Sequence, residues 1–290
     1  MTRWLLPACL VCCGAVWAGQ RYPATGVILK IDRPHKNFVA SCKEIPGYME
    51  AMIMPIPVHD ERLLDGLQAG AIVDFTLVVA SDDAWAEQIK IHHFQSLEQD
   101  PFEAHGLQLI ENIGHNDSAA RELAVGEAVP DFTLTSQTGR PVSLGQFKGK
   151  TVAASFVYTS CPLPNYCFRL SNNFGRVQKR FADRLGRDLI LLSISIDPVR
   201  DTPAVLAKYA ATWKADANSW FFLTGPEADI RAVSRRFGVN YWPGEAALTH
   251  SLHTIVIDRQ GKLAANLEGN EFTAEQLGDL LDTQMRQAAR

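Results

Sequence analysis

Two cysteines and one distant histidine carry most of the chemistry that this sequence offers. Cys161 and Cys167 stand six positions apart, directly after the hydrophobic run 152–158, and His250 follows far downstream. Such a cysteine pair can cycle between dithiol and disulfide, or its two thiolates can hold a soft metal ion such as Cu(I). An imidazole delivered by the fold would favour the metal. The residues alone leave both kinds of chemistry open.

The first 18 residues predict the compartment in which this chemistry takes place. Arg3 supplies one positive charge, residues 4–17 are apolar without a charged side chain, and Ala18 is a small residue of the kind a signal peptidase needs. We therefore expect residues 1–18 to be a signal peptide and the protein to be exported to the periplasm. The apolar run is short for a membrane span, and an uncleaved leader anchored in the inner membrane is the alternative.

The number of cysteines and the distribution of charge argue against two classes of protein, disulfide-rich scaffolds and nucleic-acid-binding proteins. Three of the six cysteines lie in the leader, which leaves Cys42, Cys161 and Cys167 in the mature chain. This number is odd and too small for a disulfide framework, so redox or metal chemistry is favoured over one structural disulfide with a buried thiol. The formal net charge of −4 is spread without a basic run, which argues against a nucleic-acid partner.

The strands and helices that must position these residues fall into two groups. Residues 22–94 show short strands and turns with little helix, which predicts a small β-barrel. Residues 95–123 are polar and weakly periodic, so we expect a linker there, with a short helix at 106–113. Over residues 124–290 strands alternate with helices, which predicts an α/β domain around a central sheet.

Several local patterns predict how the second domain supports the cysteines and the histidine. Apolar spacing predicts a helix over 167–185, and a C-terminal helix is expected from Thr273. Thr202 and Pro203 suit a helix cap and the first helical position. Segments 253–258 and 262–266 predict a hairpin. If His250 and His253 share one strand, they face opposite sides, and His253 would then pack or lie at the surface rather than bind metal.

Three separated motifs in the second domain resemble the Sco (SenC-type) family. They read VPDFTL from Val129, FVYTSCP from Phe156 and SIDPVRDTP from Ser195, and His250 follows eight residues before the turn at Asp258. The resemblance covers roughly residues 124–290. It implies a thioredoxin-like fold and a role in handling copper for cytochrome oxidase assembly.

The family binds copper through two cysteines and one histidine. The resemblance therefore implies Cys161, Cys167 and His250 as ligands of Cu(I), in a site that can also accept Cu(II). Asp197 and Asp201 match the family's acidic motif near the site, and a loop residue and a helix cap are their alternative roles. One departure concerns spacing, because five residues including two prolines separate the cysteines here, whereas the family pattern has three.

A second group of soft donors occurs in the N-terminal domain. Met52 and Met54, two of only five methionines, would share one face of a strand, and thioethers suit Cu(I) or Ag(I). A methionine stripe in the core or at the surface is the alternative. Segments 24–32 and 44–55 resemble the CusF-like periplasmic copper- and silver-binding domain, an OB-type barrel. That resemblance implies Met52 and Met54 as ligands, with Cys42 at the position of the family's histidine and Tyr48 or Met49 near that of its aromatic residue.

Two functions of different classes follow from these residues. The first is an exported copper metallochaperone, whose N-terminal domain collects Cu(I) and whose second site receives or delivers it. The client that the resemblance implies is a cytochrome oxidase subunit. The second is a thiol-disulfide oxidoreductase of thioredoxin fold, with Cys161 as the attacking thiol and Cys167 as its redox partner. A peroxidase is a third alternative, but Tyr158 stands where such enzymes carry a threonine.

Overall fold

In a computed structural model, residues 19–81, 83–92, 121–243 and 248–287 are described. The predicted signal peptide, the helix predicted at 106–113 and most of the predicted linker lie outside these ranges.

The N-terminal part is a five-stranded antiparallel sheet with the strand order β3–β2–β1–β4–β5. Its strands are β1 (Gln20–Asp32), β2 (Asn37–Cys42), β3 (Met52–Pro57), β4 (Ile72–Ala80) and β5 (Asp83–Ile91). Alternation of apolar side chains places Ile28, Phe38 and Ile56 on one buried face. The short strands predicted for residues 22–94 are thus confirmed.

This sheet curls around its buried face. His59, just after β3, stacks on Trp85 of β5 with ring centroids 4.5 Å apart, so the two edges of the sheet approach each other. Over the described ranges, however, β3 and β5 are not paired by backbone hydrogen bonds. The structure therefore shows a curled sheet, and its closure into an OB-type barrel stays a prediction.

The second part is built on a seven-stranded sheet with the order β14–β13–β8–β9–β10–β6–β7. Its strands are β6 (Thr133–Ser136), β7 (Pro141–Ser143), β8 (Thr151–Val157), β9 (Leu189–Ser195), β10 (Trp220–Thr224), β13 (His253–Ile257) and β14 (Leu263–Glu268). The central strands β8 and β9 are parallel and buried along their whole length, as expected of strands covered on both faces. A separate ribbon pairs β11 (Tyr241–Pro243) with β12 (Leu248–His250).

Within the described ranges, four α-helices accompany this sheet. They are α1 (Arg169–Arg180), α2 (Pro203–Thr212), α3 (Glu227–Arg236) and α4 (Ala274–Arg286). The cap predicted at Thr202 is confirmed, because its hydroxyl accepts a hydrogen bond from the amide of Val205. The C-terminal helix predicted from Thr273 is confirmed as well, and Thr273 forms a capping box with Gln276. Helices α1 and α4 are joined by ion pairs, including Arg180–Asp279 at 2.6 Å.

The two parts share an interface, which α4 and β1 form together. Side chains on β1 alternate between two cores: Ile28 packs in the N-terminal core, whereas Val27 and Leu29 pack in the core of the second part. Gln276 of α4 donates a hydrogen bond of 2.8 Å to the carbonyl of Ser41. The hydroxyl of Ser41 donates to Asp279 at 2.7 Å. The N-terminal sheet is therefore fastened to the C-terminal helix.

A glycine permits the closest approach at this interface. Gly70 has φ +87°, and a Cβ atom added to it would lie 2.7 Å from the Cβ of Ala265 on β14. Any larger side chain would therefore strain the backbone and collide with the second sheet.

The helix predicted over 167–185 is present with shorter bounds, and the shared strand considered for His250 and His253 is not formed. The helix predicted over 167–185 is α1, which begins at Arg169 and ends where Phe181 leaves helical geometry with ψ 30°. The histidines do not share a strand: His250 ends β12, which pairs with β11, whereas His253 begins β13, which pairs with β8 and β14. The hairpin predicted at 253–258 and 262–266 is confirmed as β13 and β14.

Candidate metal centre

The cysteine segment begins where the central strand β8 ends. After a turn, Cys161 is half-buried, and the helical turn Pro164–Phe168 carries Cys167 into the core before α1 starts. Proline restricts the backbone before that turn, and Tyr166 within it is non-helical, with φ −107° and ψ −107°. The five-residue spacing thus forms a kinked helical turn. It leaves one thiol near solvent and buries the other.

A buried carboxylate fastens the turn before Cys161. Asp201 is fully buried and accepts hydrogen bonds from the amide of Thr159 at 3.0 Å and from its hydroxyl at 2.5 Å. The Ser195 hydroxyl donates a third bond of 2.6 Å. These bonds join the ends of β8 and β9, so Asp201 supports the loop and Thr202 provides the cap.

His250 reaches the cysteines from the β11–β12 ribbon. Its Nε2 lies 3.9 Å from Sγ of Cys167, and its Nδ1 donates a hydrogen bond of 2.9 Å to the carbonyl of Ser251. Because a carbonyl can only accept, this bond keeps the proton on Nδ1 and leaves the lone pair of Nε2 facing the thiol. The ring of Tyr158 meets that of His250 edge-on, with centroids 5.8 Å apart. The imidazole is therefore held in one orientation and one tautomer.

The electrostatics of the site favour a thiolate beside a neutral imidazole. A hydrogen bond from Cys167 is the largest influence on Cys161 and lowers its pKa to about 6. The same bond, together with burial, raises the pKa of Cys167. Burial lowers the pKa of His250 to about 4, so its ring is neutral at pH 7. Cys161 is thus the thiol that ionises first.

One metal ion fits between Cys167 and His250. Metal–sulfur and metal–nitrogen bonds of roughly 2.3 and 2.0 Å, the values for zinc, put two donor atoms about 3.7 Å apart at an angle of about 120°. The observed separation of 3.9 Å is close to this value. In the described part of the chain, no three His, Cys, Asp or Glu side chains are already grouped as in a complete metal site.

The other residues predicted for this region, His253 and Asp197, have hydrogen-bond partners other than Cys167 and His250. His253 is buried, and its Nδ1 lies 2.8 Å from the side-chain oxygen of Asn266, so it packs away from the cysteines as expected. The carboxylate of Asp197 accepts a hydrogen bond of 3.4 Å from the guanidinium of Arg200, in the loop between β9 and α2. Sequence reasoning missed Asn270, whose side chain donates to the carbonyl of Asn165 inside the cysteine segment. No local pattern indicates that contact, because 105 residues separate its partners.

The soft donors of the N-terminal sheet lie on one face of adjacent strands. Met52 pairs directly with Cys42, and Met54 pairs with Ala40, so all three donor side chains point to the same side. Cys42 is buried, Met54 is half-buried and Met52 is 52% exposed. Burial raises the pKa of the Cys42 thiol to about 11. The strand register thus brings the predicted donors together, with their metal binding still a prediction.

The other residues that the CusF-like resemblance involves lie in the same sheet or next to it, and their part in metal binding stays a prediction. Gly26 faces Cys42 across β1 and β2, and a Cβ on it would lie 3.4 Å from the Cys42 sulfur. Tyr48 stacks on Tyr22 with centroids 4.2 Å apart, which puts an aromatic pair in the predicted region. Met49 packs against the N-terminal core.

Comparison with known proteins supports the family resemblance of the second domain. Residues 121–286 match the family model described as SCO1/SenC. The chain belongs to the SCO1/SenC family. Its SCO1/SenC domain is 30% identical over 150 residues to the SCO1 protein homolog of Bacillus subtilis, covering 50% of this chain and 76% of that protein. It is 26% identical to a Stutzerimonas stutzeri protein predicted to bind copper, over 48% of this chain and 69% of that protein.

Solved structures support the thioredoxin-like fold of the SCO1/SenC domain. A crystal structure of a protein from Aquifex aeolicus VF5 superimposes with a TM-score of 0.50 at 19% identity, covering 56% of this chain and 95% of that one. The CusF-like resemblance of the N-terminal sheet stays a prediction beside this match. None of the helices within the described ranges has the length and apolarity required to span a membrane.

Proposed function

We propose that this protein is an exported copper metallochaperone. It binds Cu(I) through Cys161, Cys167 and His250 and delivers it to a client in the assembly of the cytochrome c oxidase copper centre. The observation that carries the proposal is the 3.9 Å approach of the Cys167 sulfur to a neutral, tautomer-fixed His250, beside a second thiol of lowered pKa, in a SCO1/SenC domain.

The donor set suits copper as cargo. Two thiolates and one imidazole are soft and borderline ligands, which favour Cu(I) over hard cations and also accept Cu(II). Cys161, half-buried at the start of the cysteine segment, is proposed as the third ligand. The S. stutzeri relative and the association of the SCO1/SenC family with copper and cytochrome c oxidase support the same cargo and the same client.

The exposure of the site supports delivery rather than permanent storage. Cys161 is half-buried, while Cys167 and His250 are buried, so an incoming donor can reach the ion from one side. Apolar side chains are exposed beside it: Leu163 and Phe168 in the cysteine segment, and Val199 in the neighbouring loop. Such a surface suits a transient protein partner whose soft donors exchange with Cys161.

The N-terminal sheet is proposed as the collecting module. Met52 is exposed and could capture Cu(I) from solution, whereas Cys42 and Met54 lie deeper on the same face. The N-terminal donors are two neutral thioethers and the Cys42 thiol, whose pKa burial raises to about 11, so we expect them to hold Cu(I) less tightly than the site with the readily ionised Cys161. This role rests on the CusF-like resemblance and on the strand register.

Anaerobic titration with Cu(I) against a competing chelator tests the proposal. The reduced protein is compared with the double variant Cys161→Ser and Cys167→Ser. We expect the variant to bind one tightly held ion fewer. If both proteins bind the same number of ions with the same affinity, the SCO1/SenC domain is not a copper site, and copper would belong to the N-terminal sheet alone.

A second function is favoured by one observation, the lowered pKa of Cys161. A thiol with pKa about 6, hydrogen-bonded to a second free thiol, suits attack on a disulfide. In a thiol-disulfide oxidoreductase, Cys161 would form the mixed disulfide and Cys167 would release it. The variant Cys167→Ser would then accumulate mixed disulfides with protein clients, whereas a chaperone without this activity would not.

A further inference from the structure

A chain of contacts that begins at Asn270 links the cysteine segment to the N-terminal sheet. Asn270 is buried, and its side-chain amide donates to the carbonyl of Asn165, between the two cysteines. Asn165 lies in the five-residue stretch that is longer than the family spacing. The hydrogen bond therefore restrains the part of the segment whose length differs from the family spacing.

The residues after Asn270 are fixed to the beginning of α1. Arg169 donates to the carbonyl of Glu271 at 3.4 Å, and Asn173 donates to the carbonyl of Phe272 at 3.4 Å. Segment 270–272 thus runs alongside the first turns of α1, which starts two residues after Cys167. Any movement of this segment displaces both the Asn165 contact and the base of the helix.

The N-terminal sheet holds the same segment from the opposite side. The side chain of His92, directly after β5, has its Nδ1 3.4 Å from Glu271 and 3.9 Å from Asp74. A few residues further on, Ser41 is bonded to both Gln276 and Asp279 of α4. Segment 270–272 and the start of α4 are therefore enclosed between α1 and the N-terminal sheet.

We propose that Asn270 is a positioning residue for the Cys161–Cys167 segment, and that the N-terminal sheet keeps Asn270 in place through His92 and Ser41. The sheet then has a second role besides any metal binding of its own, because it sets how tightly the longer cysteine segment is held. The proposal rests on the proposed function only in that the cysteines are taken as copper ligands. How tightly Asn270 holds the cysteine segment can be measured in the metal-free protein.

Hydrogen exchange of the metal-free, reduced protein tests the first part. In Asn270→Ala we expect amides of segment 163–168 to exchange about three- to tenfold faster, the factor that corresponds to the loss of one ordinary hydrogen bond. Cys167, now buried, should be alkylated faster by the same factor at fixed pH. Asn172→Ala, which changes an exposed asparagine on α1, is the matched control and should leave both rates unchanged.

A near-isosteric variant separates hydrogen bonding from packing. Asn270→Asp keeps the shape but presents oxygen instead of the amide donor, so we expect it to loosen the segment at least as much as Asn270→Ala. Wild-type exchange in Asn270→Asp would show that packing alone holds the segment, and would overturn the proposal. Faster exchange spread evenly over the whole chain would also overturn it, because the effect would then be global destabilisation.

The role of the N-terminal sheet is tested by His92→Ala. We expect a smaller acceleration in the same amides, about twofold, and no further acceleration when it is combined with Asn270→Ala, because both act through one contact. His59→Ala is the matched control, since it removes another imidazole contact of the same sheet, near the opposite ends of β4 and β5. Full additivity, or equal effects of His59→Ala and His92→Ala, would overturn the role of the sheet.

Unchanged copper stoichiometry in the cysteine double variant would refute the proposed function and leave these exchange results standing. Unchanged hydrogen exchange in Asn270→Ala would refute the positioning role of Asn270 and leave the proposed copper function untouched.

Discussion

Sγ of Cys167 lies 3.9 Å from Nε2 of His250, although 83 residues separate the two in sequence. Both side chains are buried, and the bond from Nδ1 to Ser251 fixes which ring nitrogen faces the sulfur. The kinked turn after β8 delivers the thiol, and the short β11–β12 ribbon delivers the imidazole. Two irregular segments thus provide the donors, while the regular sheet between them provides the rigidity.

Replacement of His250 should weaken copper binding selectively. We expect His250→Ala to lose more than the roughly 10- to 100-fold in affinity that an outer-shell change costs, because a direct donor is removed. His253→Ala is the matched control: it removes a buried histidine three positions away whose partner is Asn266. Competition titration with a Cu(I) chelator measures both. Equal losses in the two variants would contradict the ligand assignment.

The rate at which Cys161 is alkylated should depend on pH as expected for a thiol of low pKa. Because Cys167 and neighbouring groups lower the pKa of Cys161 to about 6, its reaction with iodoacetamide should rise between pH 5 and 7 and level off above. Burial holds the pKa of Cys42 at about 11, so Cys42 should remain unlabelled at pH 7. Mass spectrometry of the labelled peptides at several pH values measures both rates.

Cys167→Ala is the control for the cause of that shift. It removes the hydrogen bond that lowers the pKa of Cys161 most, so the midpoint should move upward toward the ordinary value of 9.0. The stabilisation from ionised Cys161 is present at high pH and is lost as the pH falls through about 6, because the folded-state pKa is the lower one. A midpoint near 9 in the wild-type protein would contradict the assignment.

Asp201 should matter through its acceptor atoms rather than its charge. Asp201→Ala leaves the Thr159 amide and the Ser195 hydroxyl without their acceptor, and we expect a loss of about 2–4 kcal/mol in unfolding free energy. In Asp201→Asn the amide oxygen can still accept both bonds while its NH₂ group donates to the Thr159 hydroxyl. The loss should therefore be only about 1 kcal/mol.

Urea denaturation measures these free energies, with Asp197→Ala as the comparison. Asp197 contacts the exposed Arg200 at 3.4 Å, so its removal should cost less than about 1 kcal/mol. Similar losses in Asp197→Ala and Asp201→Ala would show that Asp201 does not support the loop.

The soft donors of the N-terminal sheet should act separately from the cysteine site. We expect Met52→Ala to weaken one Cu(I) site while the site of Cys161 and Cys167 keeps its affinity. Ile53→Ala is the matched control, because Ile53 is 47% exposed next to Met52 and points to the opposite face. Titration of each variant with Cu(I) distinguishes them. Wild-type binding in Met52→Ala, Cys161→Ala and His250→Ala alike would refute the two-site interpretation.

Much of the fold was predictable because it is encoded in local patterns. The cap at Thr202, the start of the C-terminal helix at Thr273 and the hairpin of β13 and β14 are each specified over a few residues, and each is confirmed. The bounds of α1 were not predictable in this way. Apolar spacing continues from Cys167 to Phe181, but two prolines and the non-helical Tyr166 delay the regular helix to Arg169.

The candidate site was predictable in its chemistry but not in its support. The side-chain types at Cys161, Cys167 and His250 indicate a soft metal site or a redox pair, and only the Sco resemblance favours copper. The contacts of Asp201 and Asn270 with the cysteine segment depend on tertiary packing between distant segments, and no period or motif records them. The separation of His250 and His253 into different sheets has the same origin, because strand partners elsewhere in the chain decide it.

The bond between Ser41 and Asp279 spans 238 positions and has a consequence for the order of folding. During synthesis the first sheet emerges early, yet Val27 and Leu29 pack in a core that includes residues of the last helix, such as Leu277 and Leu280. Until α4 has been synthesised, that face of β1 therefore lacks its cover and is open to unwanted association. Loss of α4 would accordingly damage the N-terminal sheet as well as the second one.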